Sequence, residues 1–324
     1  MTAFPLLQLP LVAMEHVLCM MNPFELIDVS LASSRARRCV KSFSRNKYKF
    51  SASFDNQGPK ISLGDHRMGW IFEMTVNERY TCRYQHGLYN TETIIKFTKE
   101  PLKDIMKWFD YAREVLHCKI NRLILDLDFP SSENRQIIDW IATQSNMMEW
   151  VDLLSIYEES GDDLKYLMER IHVSGRFDLM IKKYKNDFRM EIPGKPERLS
   201  VKNARFIDYE QLLRLKSPVI ILRQSILTSQ DINRFLKSWM TCETHLELKA
   251  LEIGISDPDA INEIMDLPHE KTNDPKIGRA FYNYHIILQD VNEIFTMKRC
   301  DGKKQASVTT ARLLHGWRLC LIVY

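Results

Sequence analysis

Three short apolar stretches that read as helices fill residues 4–43, and they constrain this chain more than any other feature. The segment reads FPLLQLPLVAMEHVLCMMNPFELIDVSLASSRARRCVKSF. Met14, Val17, Leu18 and Met21 fall at i, i+3, i+4 and i+7, one face of a helix. Pro10 suits the first turn, where its missing amide hydrogen is not needed. Asn22-Pro23-Phe24-Glu25 reads as a second helix start, with Asn22 capping and Glu25 returning to the cap. Phe24, Ile27 and Leu31 continue the apolar stripe, and Ser33-Ser34 opens a third helix ending near Phe43. Three helices in about forty residues bury little core unaided. The segment, here called the hook, therefore reads as a docking element.

The rest of the chain is long enough for a substantial core, with 324 residues of which 45% are hydrophobic. Lys plus Arg is 45 against Asp plus Glu at 42, a net charge of +3 that does not by itself indicate nucleic-acid binding. The basic run from Arg35 to Lys49 contains no acid and reads first as a solvated helix face leading into a linker, with a positive flank for an acidic partner or a localisation signal as the alternative. The seven cysteines show no close pairs along the sequence. They are expected to be reduced, buried thiols of a cytoplasmic or nuclear protein. The apolar N-terminal run is broken by Pro5, Pro10, Glu15 and His16, unlike a signal peptide. No stretch reaches the ~20 apolar residues of a membrane span, so a soluble protein is expected.

From Tyr48 the period changes to two. Tyr48, Phe50, Ala52 and Phe54 alternate with polar residues, as do Trp70, Phe72, Met74 and Val76, which predicts hairpins through about Phe97. Leu102, Ile105, Met106, Phe109, Ala112 and Leu116 then trace a helix. Ile120, Leu123, Leu125 and Leu127 fall at offsets 0, 3, 5 and 7, and Leu248, Leu251, Ile253 and Ile255 repeat them. That is the strand spacing of a leucine-rich repeat. Val219 to Leu222 reads as a fully buried parallel strand. The reading is a mixed α/β chain with an irregular leucine-rich-repeat-like body and β-hairpins at both ends. A doubly wound single domain is the rival. Tyr282, Tyr284, Ile286 and Leu288 predict a strand, and Asp301-Gly302 a hairpin turn.

The hook resembles an F-box, through Leu9-Pro10, Val17-Leu18, Met21, Asn22-Pro23, Leu26-Ile27, Val29, Leu31, Ser33 and Arg35. It departs from that pattern at Leu11-Val12, where an acid is usual, and at Ala32 and Ala36, where Val and Trp are usual. The block from Ser225 to Trp239, with the Val219–Leu222 strand before it and Leu246-Glu247 after it, resembles the type-2 F-box-associated domain of a nematode-expanded family. The resemblance implies an F-box at 4–44 and a body at 48–324. Within that body it places the associated region at about 195–255 and a C-terminal β cap at about 278–324. It implies docking on the adaptor subunit of an SCF-type ubiquitin ligase through Leu9, Pro10, Val17, Met21, Leu26 and Ile27. Cullin would be reached through the adaptor, and an unknown protein target held by the body. Recognition is expected on the exposed strand face and the C-terminal loops. The alternative is a repeat-type interaction scaffold outside ubiquitin transfer, with the hook as a helical cap.

Catalytic patterns are weak. Asp126-Leu127-Asp128 follows a buried strand with no glycine-rich loop near it, and reads as strand-end capping rather than a metal site. Glu158-Glu159 with Asp162-Asp163 lacks the calcium-loop spacing. His269-Glu270 lacks the second zincin histidine. His245, His285 and His315 are isolated. No catalytic, cofactor or metal residue is expected, and neither nucleic acid nor a membrane as partner.

Overall fold

The computed structural model describes residues 6–43, 49–64, 69–86, 91–157, 159–272, 274–284, 286, 288, 293–313 and 316–324. The chain divides into two compact units, Met1–Asp126 with Asp139–Asn146, and Leu127–Ile138 with Met147–Tyr324. The division falls inside the stretch expected to be one body, and it keeps the hook with the first strands.

Unit 1 opens with α1 (Leu11–Met20), α2 (Pro23–Ala32) and α3 (Ser34–Phe43). Five strands follow: β1 (Lys49–Asp55), β2 (Gly58–Gly64), β3 (Gly69–Thr75), β4 (Cys82–His86) and β5 (Thr91–Phe97). Then come α4 (Pro101–Leu116) and β6 (Lys119–Asp126). The two hairpins β1–β2 and β2–β3 form as the alternation predicts. The next step differs from a simple run of hairpins. β4 lies outside β5 and antiparallel to it, so β5 runs parallel to β3. β6 closes the other side, parallel to β1.

α4 covers this sheet with the stripe expected of it, burying Ile105, Phe109, Ala112 and Leu116 completely. The Phe109 ring meets Phe50 edge-on at 5.6 Å and Trp140 at 5.8 Å. Trp108 stacks on Phe72 at 3.9 Å. Each large side chain buried this way is worth about 1.5–3 kcal/mol.

α5 (Ser131–Gln144) contributes residues to both units. Unit 2 continues with β7 (Met147–Ser155), α6 (Gly161–Met168), β8 (His172–Ile181), β9 (Arg198–Val201), α7 (Tyr209–Arg214), β10 (Val219–Leu222), α8 (Ser229–Met240) and β11 (Ala250–Ile255). After these come α9 (Ala260–Ile264), β12 (Glu270–Thr272), α10 (Pro275–Ala280), β13 (Ile294–Lys298), β14 (Gln305–Leu313) and β15 (Gly316–Val323). Strands β7 to β11 are parallel and stand side by side in chain order. A doubly wound sheet would reverse that order at a switch point, so the rival reading does not describe these five strands. β15 lies antiparallel against β11, with β14, β13 and β12 beyond it.

One face of the parallel strands is apolar throughout. Phe177, Leu179, Leu199, Val201, Ile220, Leu222, Leu251 and Ile253 are all buried, as is the α8 stripe Ile232, Phe235, Leu236 and Trp239. The other face carries an aligned row, Asp152, Asp178, Ser200, Ile221 and Glu252. The three acids on it are buried but paired: Asp152 with the Trp150 indole at 2.8 Å, Asp178 with Arg176, and Glu252 with Arg223 and Arg318. A buried carboxylate is tolerable only with such partners.

Two expectations need correction. Residues Phe281–Tyr284 form a 3-10 turn after α10, not a strand. Phe281 and Ile286 enter the core beside Val219, Ala250 and Ile322, while Tyr282 is exposed. The Ile286 amide donates to the Phe281 carbonyl, so the backbone coils where alternation would need it extended. Nor are the cysteines all buried: Cys118 and Cys320 are, whereas Cys19, Cys82 and Cys300 are exposed. The Asp301-Gly302 turn does join β13 to β14, with Gly302 at φ 67.

Candidate functional site

The hook's geometry follows from its punctuation. Asn22 Oδ1 accepts from the Glu25 amide at 2.9 Å, and Glu25 returns to accept from the Asn22 amide at 2.8 Å. This reciprocal pair satisfies two amides that the first turn of α2 would leave open. Ser33 Oγ accepts from the Ala36 amide at the start of α3. The three helices then bury Met14, Leu18, Phe24, Leu26, Ile27, Ala36 and Val40. Ala36 is 2% exposed, so the small residue occupies a closely covered position.

This bundle is seated on its own unit. Phe24 packs at 6.2 Å from Phe72 and 6.5 Å from Trp108. Ser30 and Tyr111 share a hydroxyl hydrogen bond at 2.8 Å. Arg37 and Lys41 both reach Glu114, whose carboxyl is held below its usual range chiefly by the Arg37 hydrogen bond. Two members of the basic run thus have a specific partner.

The six residues expected to meet the adaptor separate into two groups. Leu9, Val17 and Met21 are half-buried and Pro10 is exposed, so these four retain surface. Leu26 and Ile27 are only 4% and 3% exposed and sit in the hook's interior. In this conformation they hold the three helices together. Helical spacing shows which residues share a face, but not whether that face is covered from within the chain.

Sequence reasoning also passed over the side chains that are most open. Leu11, Val12, Met20 and Leu31 are 65%, 66%, 78% and 61% exposed. Val12 and Met20, eight residues apart, share one side of α1. The available signal was the departure at Leu11-Val12 itself, two large apolar residues where an acid is usual. Scattered exposed apolar residues need no explanation; four on helices that run from Leu11 to Phe43 are a different matter.

The other candidates are accounted for structurally. Asp128 accepts from Ser155 Oγ at 2.7 Å and from the Ile156 amide at 2.8 Å, which is strand-end capping. Asp163 accepts from Ser131 and from the Asn134 amide group, and Asp162 pairs with Lys185. Glu158, His285 and His315 lie outside the described residues. His269 Nδ1 contacts the Leu267 carbonyl at 2.9 Å. Burial pushes His245 down to about 4, and its ring lies 5.0 Å from Phe235. Among the described residues, no group of three or more His, Cys, Asp or Glu could hold a metal ion. No described helix is long and apolar enough to cross a membrane.

In the Ser225–Trp239 block, Thr228 and Asp231 make the expected capping box. Asn233 Nδ2 donates to the Ile264 carbonyl at 2.8 Å and to Asp266 at 3.1 Å, tying α8 to the end of α9. Phe235 and Trp239 are fully buried. These residues cap and pack.

Two family models match this chain: the F-box domain over residues 6–48 and the F-box associated family over residues 187–253. Neither a curated protein nor a solved structure matches it. The first match covers the hook with its open apolar side chains, and the second covers β9 to β11 with α7 and α8. The chain thus carries a segment matching the F-box domain at 6–48 and one matching the F-box associated family at 187–253.

Proposed function

We propose that this chain is the substrate-receptor subunit of an SCF-type ubiquitin ligase. The observation that carries the reading is the exposure of Leu11, Val12, Met20 and Leu31 on the segment that matches the F-box. With Leu9, Pro10, Val17 and Met21 beside them, they offer apolar area to the adaptor. Burial there stabilises the contact by about 25 cal/mol per Å² before ordering costs are met. Through the adaptor the chain would reach cullin, and its associated region would hold a protein target. The contribution to ubiquitin transfer is proximity, with no bond-making chemistry of its own.

The test is adaptor pull-down with the full-length chain. Met20→Asp is expected to lose the adaptor with unchanged melting temperature, because Met20 has little of this chain's own structure to disturb. Val17→Asp is expected to lose it as well. Retention by both variants would sink the reading.

A second reading, a scaffold outside ubiquitin transfer, draws on the seating of Phe24 against Phe72 and Trp108. It treats the hook as a lid on unit 1. Under it, Met20→Asp is silent in every assay and deletion of residues before 44 aggregates the chain.

A further inference from the structure

Cys242 and Cys300 lie 58 residues apart in the sequence, and their sulfurs meet at 3.0 Å. Both belong to unit 2: Cys242 follows Thr241, the cap of α8, and Cys300 lies in the turn between β13 and β14. Hydrogen bonds on both sides of the pair hold it in place. The Cys300 amide donates to the Met240 carbonyl at 2.8 Å, and the Cys242 amide donates to the Trp239 carbonyl at 3.2 Å. Arg299 Nη1 donates to the Leu246 carbonyl at 3.1 Å, while its Nε and Nη2 hold Asp301 at 3.1 and 2.6 Å. Lys304 Nζ reaches the same Leu246 carbonyl at 3.1 Å. The turn after β13 is thus docked on the end of α8 and the residues just beyond it, and the two thiols meet within that contact.

The backbone at Cys242 makes the pair more than a meeting of surface thiols. Cys242 sits at φ 64, in the left-handed region where glycine or asparagine is the unstrained choice. A bulkier residue persists there only when its surroundings over-determine it, and such outliers cluster at functional positions. Here the side chain that glycine would lack is the one that reaches Cys300. Access also sets this pair apart. Burial pushes the Cys118 and Cys320 thiols up to about 12, whereas Cys300 is open to solvent and Cys242 is half-buried. A dissolved oxidant therefore reaches the pair through Cys300.

We propose that Cys242 and Cys300 form a reversible disulfide, a redox staple between the end of α8 and the β13–β14 turn. The inference is independent of the ligase reading. An ordinary disulfide holds its sulfurs about 2.05 Å apart, so these two must approach by about 1 Å more, within reach of side-chain rotation. The co-reactant is a small-molecule disulfide of the glutathione class. The Cys300 thiolate attacks one of its sulfurs, the S–S bond breaks, and one glutathione thiolate leaves. The Cys242 thiolate then attacks the Cys300 sulfur of the mixed disulfide, and the second glutathione thiolate leaves. Two electrons pass from the cysteine pair to the reagent, and the two protons the cysteines release go to the two glutathione thiolates. Excess reduced glutathione runs the same steps backwards. The new bond closes a covalent loop that contains β11, α9, β12, α10 and β13, which removes freedom from the unfolded chain. It ties the segment matched by the F-box associated family to the strands that follow it. Thr244 to Leu248 form one wall of a recess of about 270 Å³, so oxidation also fixes the start of that wall.

The test equilibrates the full-length chain in glutathione buffers of stepped oxidised-to-reduced ratio, blocks the remaining thiols by alkylation and digests with trypsin. Mass spectrometry is expected to find peptide 238–249 joined to peptide 300–303, with the two thiols lost together at one midpoint. The melting temperature of the oxidised chain should rise by about 5 °C or more, and dithiothreitol should reverse both changes. Cys300→Ser should abolish the joined peptide and the rise, while the reduced chain melts as before. Cys242→Gly should also abolish the joined peptide, yet raise the melting temperature of the reduced chain, because glycine relieves the left-handed backbone. Each of four results would overturn the proposal. These are both thiols still free in glutathione disulfide alone, a glutathione adduct on Cys300 with Cys242 free, Cys242 or Cys300 joined to a different cysteine, and a rise that persists in Cys300→Ser.

Discussion

The hook and the α8 block use the same local device to opposite ends. Both helices start from a reciprocal capping box, Asn22 with Glu25 and Thr228 with Asp231. Beyond the cap they diverge. α8 hides Ile232, Phe235, Leu236 and Trp239 completely, so its apolar face is satisfied within unit 2. The hook buries one set of apolar side chains and leaves Leu11, Val12, Met20 and Leu31 in water. Capping fixes where a helix begins, and it says nothing about what will cover the helix. The difference lies in packing: one apolar face is covered within unit 2, and the other is left partly open.

The comparison is broken most directly at Phe24, the side chain through which the hook reaches its own unit. Phe24→Ala is expected to cost about 3–5 kcal/mol, read as a lower denaturation midpoint, because Phe72 and Trp108 lose the ring above them. A near-neutral result would show that the hook is not seated as described. Next in size is Leu11→Asp with Met20→Asp, expected to weaken adaptor binding by about a hundredfold, or roughly 3 kcal/mol, with stability unchanged. Together these variants test whether the hook's two faces do separate jobs.

The remaining two sharpen the α8 side. His245 is held at about 4 in the folded chain by burial, against an ordinary value of 6.5. Between those values the unfolded chain binds the extra proton, so stability falls as pH drops from about 6.5 toward about 4. The loss should reach roughly 3 kcal/mol, and His245→Asn, suited to the left-handed backbone at φ 47, should flatten that slope. Thr228→Ala should cost about 1 kcal/mol through the lost cap, measured by urea denaturation. A cost at Thr228 without any effect on adaptor binding would confirm that α8 serves only its own unit.

Much of this was legible in the sequence, for identifiable reasons. Caps, the buried Val219–Leu222 strand and the α4 stripe depend on neighbours within a few residues, and local spacing specifies them. The partition of Leu26 and Ile27 from Leu11 and Met20 depends on α3 and α4, which spacing cannot see. The coiled backbone at Phe281–Tyr284 was missed because alternation of aromatic residues imitates a strand when its hydrogen bonds are unknown. The Cys242–Cys300 pair was invisible for a similar reason. The two are 58 residues apart along the chain, and only the docking of the β13–β14 turn on the end of α8 brings them together.

The pairing of β11 with β15 has a consequence for synthesis. β11 ends at Ile255, yet its outer neighbour begins at Gly316, so a ribosome must add some sixty residues before that ladder can close. Until then a strand with unmet amides and carbonyls stands open to any passing polypeptide. A message cut short before Gly316 would make that exposure permanent, and such a product should be a client of chaperones and proteases.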